Sequence, residues 1–204
     1  MSTINTTGLS MYAQPFMFDI ASGTPLLVMS CSQEKAQVGD ALTRIADLYC
    51  GPTWQQVRKA GYPLTNVAAI SALHGFCEPG YQIRTYDRKM DEDISARMCR
   101  ESNHVWRLAQ AIRAAGSAFV VGGRLYRAMV ETAIRIEPDL AQLVTFATGT
   151  YLQQRKQLGE WLRANPRTAD RAYPSAGRGP VEVAPSGLRK PRPGACPREV
   201  SMSG

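Results

Sequence analysis

The sequence predicts an α/β domain, a single three-layer unit built on a mostly parallel sheet. Three observations predict it. Pro25-Leu26-Leu27-Val28-Met29 and Val67-Ala68-Ala69-Ile70 are short apolar runs that stop abruptly at small polar turns, as buried strands do. Two further runs, Phe119-Val120-Val121 and Leu143-Val144-Thr145-Phe146, end close to glycines. Segments with apolar residues at helical spacing lie between them, and strands alternating with helices make a parallel sheet covered on its faces.

Taken in order, residues 1–23 are rich in Ser, Thr and Asn and read as an irregular arm, with a short strand at Phe16-Met17-Phe18. The first clear strand is 25–30. Asp40–Tyr49 carries Leu42, Ile45, Ala46 and Leu48 at helical spacing, and Gly51-Pro52 breaks it. Thr53 is placed to N-cap a short helix, Trp54–Ala60, which Gly61-Tyr62-Pro63 ends. The second strand is 67–71. A loop through Gly75, Pro79 and Gly80 reaches Tyr86-Asp87. Asp91 opens one long helix to Ala115, with Ile94, Met98, Val105, Leu108, Ala109 and Ile112 on one side and Gly116 as its C-terminal stop. A strand at 119–121, a helix from Leu125 to Ile136, a strand at 143–146 and a helix from Tyr151 to Arg163 complete the domain, whose bounds are 24–165.

From residue 166 the composition shifts to Pro and Gly with little aliphatic pattern. Such a segment buries too little apolar surface to offset its ordering entropy, so a flexible tail is expected. The chain has 204 residues and a formal charge of +7. Residues 166–204 hold seven Lys or Arg against three acidic residues, so they supply +4 of that total. A basic excess suits a polyanionic partner and equally a soluble basic protein. The five cysteines form no CxxC pair and there is no metal-ligand spacing, so neither a disulfide framework nor a metal site is expected. No apolar run approaches the roughly 20 residues that span a bilayer. No signal peptide is visible. A cytoplasmic location without membrane contact is the expectation.

Ligands of open α/β sheets bind beyond the carboxyl ends of the strands. Ser30-Cys31-Ser32 ends the first strand and offers hydroxyls, a thiol and backbone N–H groups to a phosphate or a base edge. Cys31 as a nucleophile would require a base such as His74; otherwise it is a small buried hydrophobe. Ser71-Ala72-Leu73-His74-Gly75 ends the second strand, and His74 can exchange a proton near neutral pH or simply hold a structural hydrogen bond. His104 sits within a helix and reads as structural. Tyr86-Asp87 pairs an aromatic ring with a carboxylate, the combination that N-glycosidic cleavage uses, although Asp87 could instead cap the helix that follows. Tyr49 and Trp54 flank a helix start and serve either a site or the core. Gly122-Gly123-Arg124-Leu125-Tyr126 joins a strand to a helix and lets a ligand approach the backbone. It is not a Walker loop, and GxGxxG is absent, so no nucleotide cofactor is indicated.

These blocks, in order, resemble the DUF6884 family: Val28-Met29-Ser30-Cys31-Ser32 with Lys35, then Leu48-Tyr49-Cys50-Gly51, Ile70-Ser71-Ala72-Leu73-His74-Gly75-Phe76, Tyr86-Asp87, Val121-Gly122-Gly123-Arg124-Leu125-Tyr126, and Gly149 through Trp161-Leu162. The resemblance covers residues 25–163. That family is related in pattern to the YaaA-type proteins implicated in DNA protection, and its members occur near DNA-modification and phage-conflict genes. The resemblance implies a nucleic-acid setting and, in an anti-phage subgroup, a DNA glycosylase acting on a modified base. On that reading Asp87 is the catalytic carboxylate and His74 orients base or water. Ser30, Cys31, Ser32, Tyr49, Ser71, Tyr86, Gly122, Gly123 and Tyr126 form the pocket, Lys35, Arg84, Arg88 and Arg124 meet phosphates, and no metal or cofactor is required. Two alternatives stay open: a non-catalytic DNA-binding protein of the YaaA type, and a nucleotide or nucleoside transferase.

Overall fold

A five-stranded sheet organises the chain, with the first strand at its centre. The computed structural model describes residues 23–166. The N-terminal arm with its expected strand at 16–18 lies outside the described residues, as does the basic tail from 167 onward. Strand β1 (Leu26–Ser30) pairs in parallel with β3 (Val67–Ser71) on one side and with β6 (Ala118–Val121) on the other. Beyond β6 lies β7 (Val144–Phe146), also parallel. Beyond β3 lies β4 (Gly75–Cys77), the one antiparallel member. The expected α/β class with a mostly parallel sheet is therefore the observed one.

Leu26, Leu27, Val28 and Met29 are all buried, which explains a continuous apolar run where a one-sided strand would alternate. Successive side chains of a strand point to opposite faces. Leu26 and Val28 pack with Ile94, Leu108, Ile112 and Val130; Leu27 and Met29 pack with Ile45, Trp54, Val57 and Leu158. One face is thus covered by α3 (Glu92–Arg100), α4 (Ser102–Ala115) and α5 (Arg124–Ile136). The other is covered by α1 (Ile45–Leu48), α2 (Pro52–Lys59) and α6 (Tyr151–Ala164). Each fully buried aliphatic side chain contributes roughly 1.5–3 kcal/mol relative to exposure.

Four expectations change. The helix read over Asp40–Tyr49 is only the single turn Ile45–Leu48, because Thr43–Arg44 (β2) pairs with Gln82–Ile83 (β5) and Leu42 is exposed. The loop after β3 holds β4, which hydrogen-bonds back on β3 through the register Ala69↔Cys77 and Ser71↔Gly75. The long helix from Asp91 is two helices broken at Glu101, whose backbone is extended (φ −73°, ψ 91°). Thr53 does not cap α2; Gly51 does, with Pro52 at the first helical position, where a missing N–H costs nothing. Asp91 does cap α3, its carboxylate accepting from the Ile94 N–H at 2.8 Å. Gly116 closes α4 in the left-handed region at φ 74°.

Candidate functional site

Helices on both faces leave the carboxyl ends of β1, β3 and β6 as the place where loops converge. The chain passes from β1 to β3 on one side and later to β6 on the other, so the order reverses beside β1. That crevice is where doubly wound folds bind ligands. Ser30-Cys31-Ser32 enters it from β1 and Gly122-Gly123 from β6. A Cβ on Gly122 would lie 3.2 Å from the Ser30 Cβ and 3.4 Å from the Tyr126 Cβ, so glycine lets the two turns close on each other. Tyr126, in the first turn of α5, bridges the crevice through a 3.4 Å contact between its hydroxyl and the Cys31 thiol.

The β1 turn is held from three sides. The Cys31 N–H donates to the Ile70 carbonyl at 2.9 Å. The Trp54 indole N–H donates to the Ser30 carbonyl at 3.1 Å. The Gly51 N–H donates to Ser32 Oγ at 3.0 Å, and a Cβ at Gly51 would collide with that oxygen at 2.3 Å.

The β3 turn is organised by Ser71. Its Oγ accepts from the N–H groups of Leu73 (3.2 Å) and His74 (3.0 Å) and meets the Tyr86 hydroxyl at 2.8 Å. With both acceptor positions filled by N–H groups, the Ser71 proton goes to Tyr86. Tyr86 in turn meets the Tyr49 hydroxyl at 2.9 Å. Burial pushes Tyr49, Tyr86 and Tyr126 above the ordinary phenol range, so at neutral pH these hydroxyls keep their protons. The thiol of Cys77 on β4 is likewise pushed up by burial, to about 12, and is inert.

His74 packs edge-on against the Tyr86 ring, with centroids 5.4 Å apart and planes at 79°. Partial burial lowers its pKa below the usual histidine value, so the imidazole is neutral near pH 7. The Lys35 ammonium sits 4.5 Å from the Tyr86 centroid. A ring with a cation over it, a histidine at its side and a hydroxyl tied to two partners is a fixed part of the wall.

The predicted site residues thus separate into groups. Tyr49 and Ser71 are fully buried and hold Tyr86 in place. Ser30, Cys31 and Ser32 line an open cleft of about 230 Å³, together with Gln33, Glu34, Gly51, Trp54 and Tyr151. Asp87, Arg84 and Arg88 are exposed, and their side chains form no hydrogen bond or ion pair with a described residue. Arg124 is ion-paired with Glu92. Gly123 is exposed and caps α5. The His74 imidazole makes no hydrogen bond to Cys31, whose neighbour is Tyr126, so the Cys–His pairing that nucleophilic catalysis requires is not formed. His104 is structural as expected: it bonds Glu101 at 3.2 Å and packs so closely on Gly75 that a Cβ there would sit 2.6 Å from its Nε2.

Sequence reading missed Gln33, Glu34 and Tyr151. Tyr151 carries the available signal, since it follows Gly149-Thr150 at a strand exit and Thr150 caps α6 with a reciprocal bond to Gln153. Among the described residues no group of three or more His, Cys, Asp and Glu is placed to hold a metal ion. No described helix is long and apolar enough to cross a membrane. The sequence matches no protein-family model, no curated protein and no solved structure.

Proposed function

We propose that this protein hydrolyses the N-glycosidic bond of a modified base in DNA, in the setting of anti-phage defence. The observation that carries the proposal is the convergence, at the crevice beside β1, of a neutral His74, a proton-bearing hydroxyl network and the Lys35 ammonium on the half-buried Tyr86, whose chain neighbours Arg84, Asp87, Arg88 and Lys89 are exposed. That segment places the Asp87 carboxylate among Arg84, Arg88 and Lys89. The cations attract a phosphate backbone, and the carboxylate stabilises the positive charge that grows on the sugar as the bond to the base breaks. His74, being neutral, accepts a hydrogen bond from the attacking water or the base. Target nucleotides of such enzymes leave the helical stack to reach their pocket.

Incubating the full-length protein with DNA from phages that carry different modified bases, and scoring alkali-labile sites, tests the reading. Abasic sites on a modified DNA and none on unmodified DNA are expected. A second reading, binding and protection of DNA without chemistry, draws on one observation: no described residue bonds to the Asp87 carboxylate and fixes it, whereas electrostatic catalysis relies on preorganised charge. Retention of DNA with no abasic sites on any substrate selects it.

A further inference from the structure

The aromatic ring that stacks on a bound base need not be Tyr86. Its hydroxyl is tied to Ser71 and Tyr49, His74 lies against its edge and Lys35 over its face. Across the β1 turn, the cleft of about 230 Å³ has aromatic surface of a different kind. Trp54 is 2% exposed and fixed by its bond to the Ser30 carbonyl, so it forms a rigid inner wall. Tyr151 also carries a cation, the Arg155 guanidinium 5.8 Å from its ring centroid, yet it remains 54% exposed at the cleft, with its hydroxyl held 3.1 Å from Thr53 Oγ1. A tyrosine anchored at its tip and open to solvent offers a stacking surface at little ordering cost.

The size of the cleft selects the ligand. Its volume is below the roughly 300–1,000 Å³ of pockets that take drug-sized molecules, so it holds one heterocycle and leaves the rest of a nucleotide or oligonucleotide outside. Its polar edge selects further. Gln33 and Glu34, both exposed, line it, and their side chains bond to no described residue. A carboxylate there repels a phosphate and accepts from an exocyclic amino group, as acidic side chains do from cytosine N4. We propose that this cleft is a nucleobase site, in which Tyr151 stacks on the ring and Glu34 receives the amino group of a cytosine- or adenine-like base. The proposal rests on the nucleic-acid reading above and moves base recognition from Tyr86 to Tyr151.

The test uses the full chain and two fluorescent probes: 2-aminopurine riboside, free in solution, and a single-stranded oligonucleotide containing one 2-aminopurine, whose emission is quenched by stacking. Adenosine and purine riboside, which differ by the 6-amino group, serve as competitors. Saturable quenching of the probes is expected. Tyr151→Ala weakens binding by roughly 5- to 100-fold, the range that loss of one stacked base implies. Tyr151→Phe stays within a few-fold of wild type, and Leu152→Ala, an exposed neighbour outside the cleft, is unchanged. Glu34→Gln reduces the preference for adenosine over purine riboside as competitor. Thermal melts establish that each variant is folded. Oligonucleotide binding with wild-type affinity in a folded Tyr151→Ala protein overturns this inference and leaves the glycosylase reading standing. Tyr151-dependent binding of the free riboside without oligonucleotide binding supports the site and removes DNA as its substrate. Absence of quenching with both probes overturns the site.

Discussion

At the scale of single residues, Asp87 is where the proposed reaction is most exposed to refutation. Asn at this position keeps the size and most of the hydrogen bonding but removes the charge that opposes a developing sugar cation. Asp87→Asn should lower the rate of base release by roughly 10²-fold or more, on the order of other single electrostatic contributions, while melting like wild type because the side chain bonds to no described residue. Single-turnover base release checks this, and a folded, fully active variant removes Asp87 from the mechanism. Cys31 gives the opposite expectation. Its thiol meets Tyr126 and not His74, so Cys31→Ser should retain activity within about tenfold, and a covalent adduct trapped at Cys31 would contradict that. For His74 the sign of the pH effect follows from burial. The folded pKa lies below the unfolded one, so above about pH 6.5 neither state binds the proton and the full stability is present. As the pH falls through that value the unfolded chain takes up the proton first, and stability declines until the lower folded pKa is passed. His74→Gln should flatten this part of the stability profile measured by chemical denaturation.

At the scale of elements, the turns at the strand ends are set by how closely neighbouring backbones approach. Gly51 has an ordinary negative φ of −57°, so alanine is allowed by its backbone; the obstacle is Ser32 Oγ at 2.3 Å from the new methyl. Gly51→Ala should displace Ser32, break its bond to the Gly51 N–H and cost about 1–3 kcal/mol. Gly123→Ala meets nothing within 4 Å, also at a negative φ, and should cost about 1 kcal/mol or less as a helix-cap change. Denaturation midpoints of the two variants, compared side by side, decide whether the approach of α2 to the β1 turn carries this energy. The same elements show what could be read in advance. β1, β3 and β6 were legible because buried parallel strands write continuous apolar runs; β7, an edge strand with Thr145 exposed, was legible from its β-branched and aromatic Val-Thr-Phe composition. β2, β4 and β5 were not, since so few residues make no period; β2 and β5 pair with each other at long range, and β4 folds straight back on β3 without a turn signature that marks it. The spacing of Leu42, Ile45, Ala46 and Leu48 favoured a helix, yet pairing of Thr43 with Ile83 overrode it. The break at Glu101 leaves no mark in the pattern, because Met98 and Val105 fall on the same apolar row on both sides of it and pack into one core. At the site, residue types put Tyr49, Ser71 and Tyr86 together in a pocket; the structure hydrogen-bonds the three, with Tyr49 and Ser71 buried behind Tyr86. Burial depends on which helix covers which face, and no local pattern records it.

At the scale of the whole molecule, the sheet divides the labour. One face of β1 is committed to α3, α4 and α5 and the other to α1, α2 and α6, so both sides are filled by core and the ligand-accessible chemistry is left to the carboxyl edge. The exposed Arg84, Arg88 and Lys89 give that edge cations of its own. The larger excess is in residues 166–204, nearly all of them outside the described part, with seven Lys or Arg against three acidic residues. If the protein works on DNA, these charges add affinity by releasing counterions from phosphates, a contribution that ignores sequence and fades with salt. On the proposed function, base choice resides in the cleft and the β1 and β3 turns. Replacing the seven cations of 166–204 by Gln, with the chain length unchanged, should therefore weaken binding equally on modified and unmodified duplexes. It should also lower the slope of log affinity against log salt by roughly 0.9 for each phosphate that is no longer neutralised. The ratio of affinities between the two DNAs should not move. Binding isotherms at several salt concentrations separate the outcomes: superimposable slopes for wild type and variant would mean that the tail takes no part, and a changed ratio would mean that it reads the base.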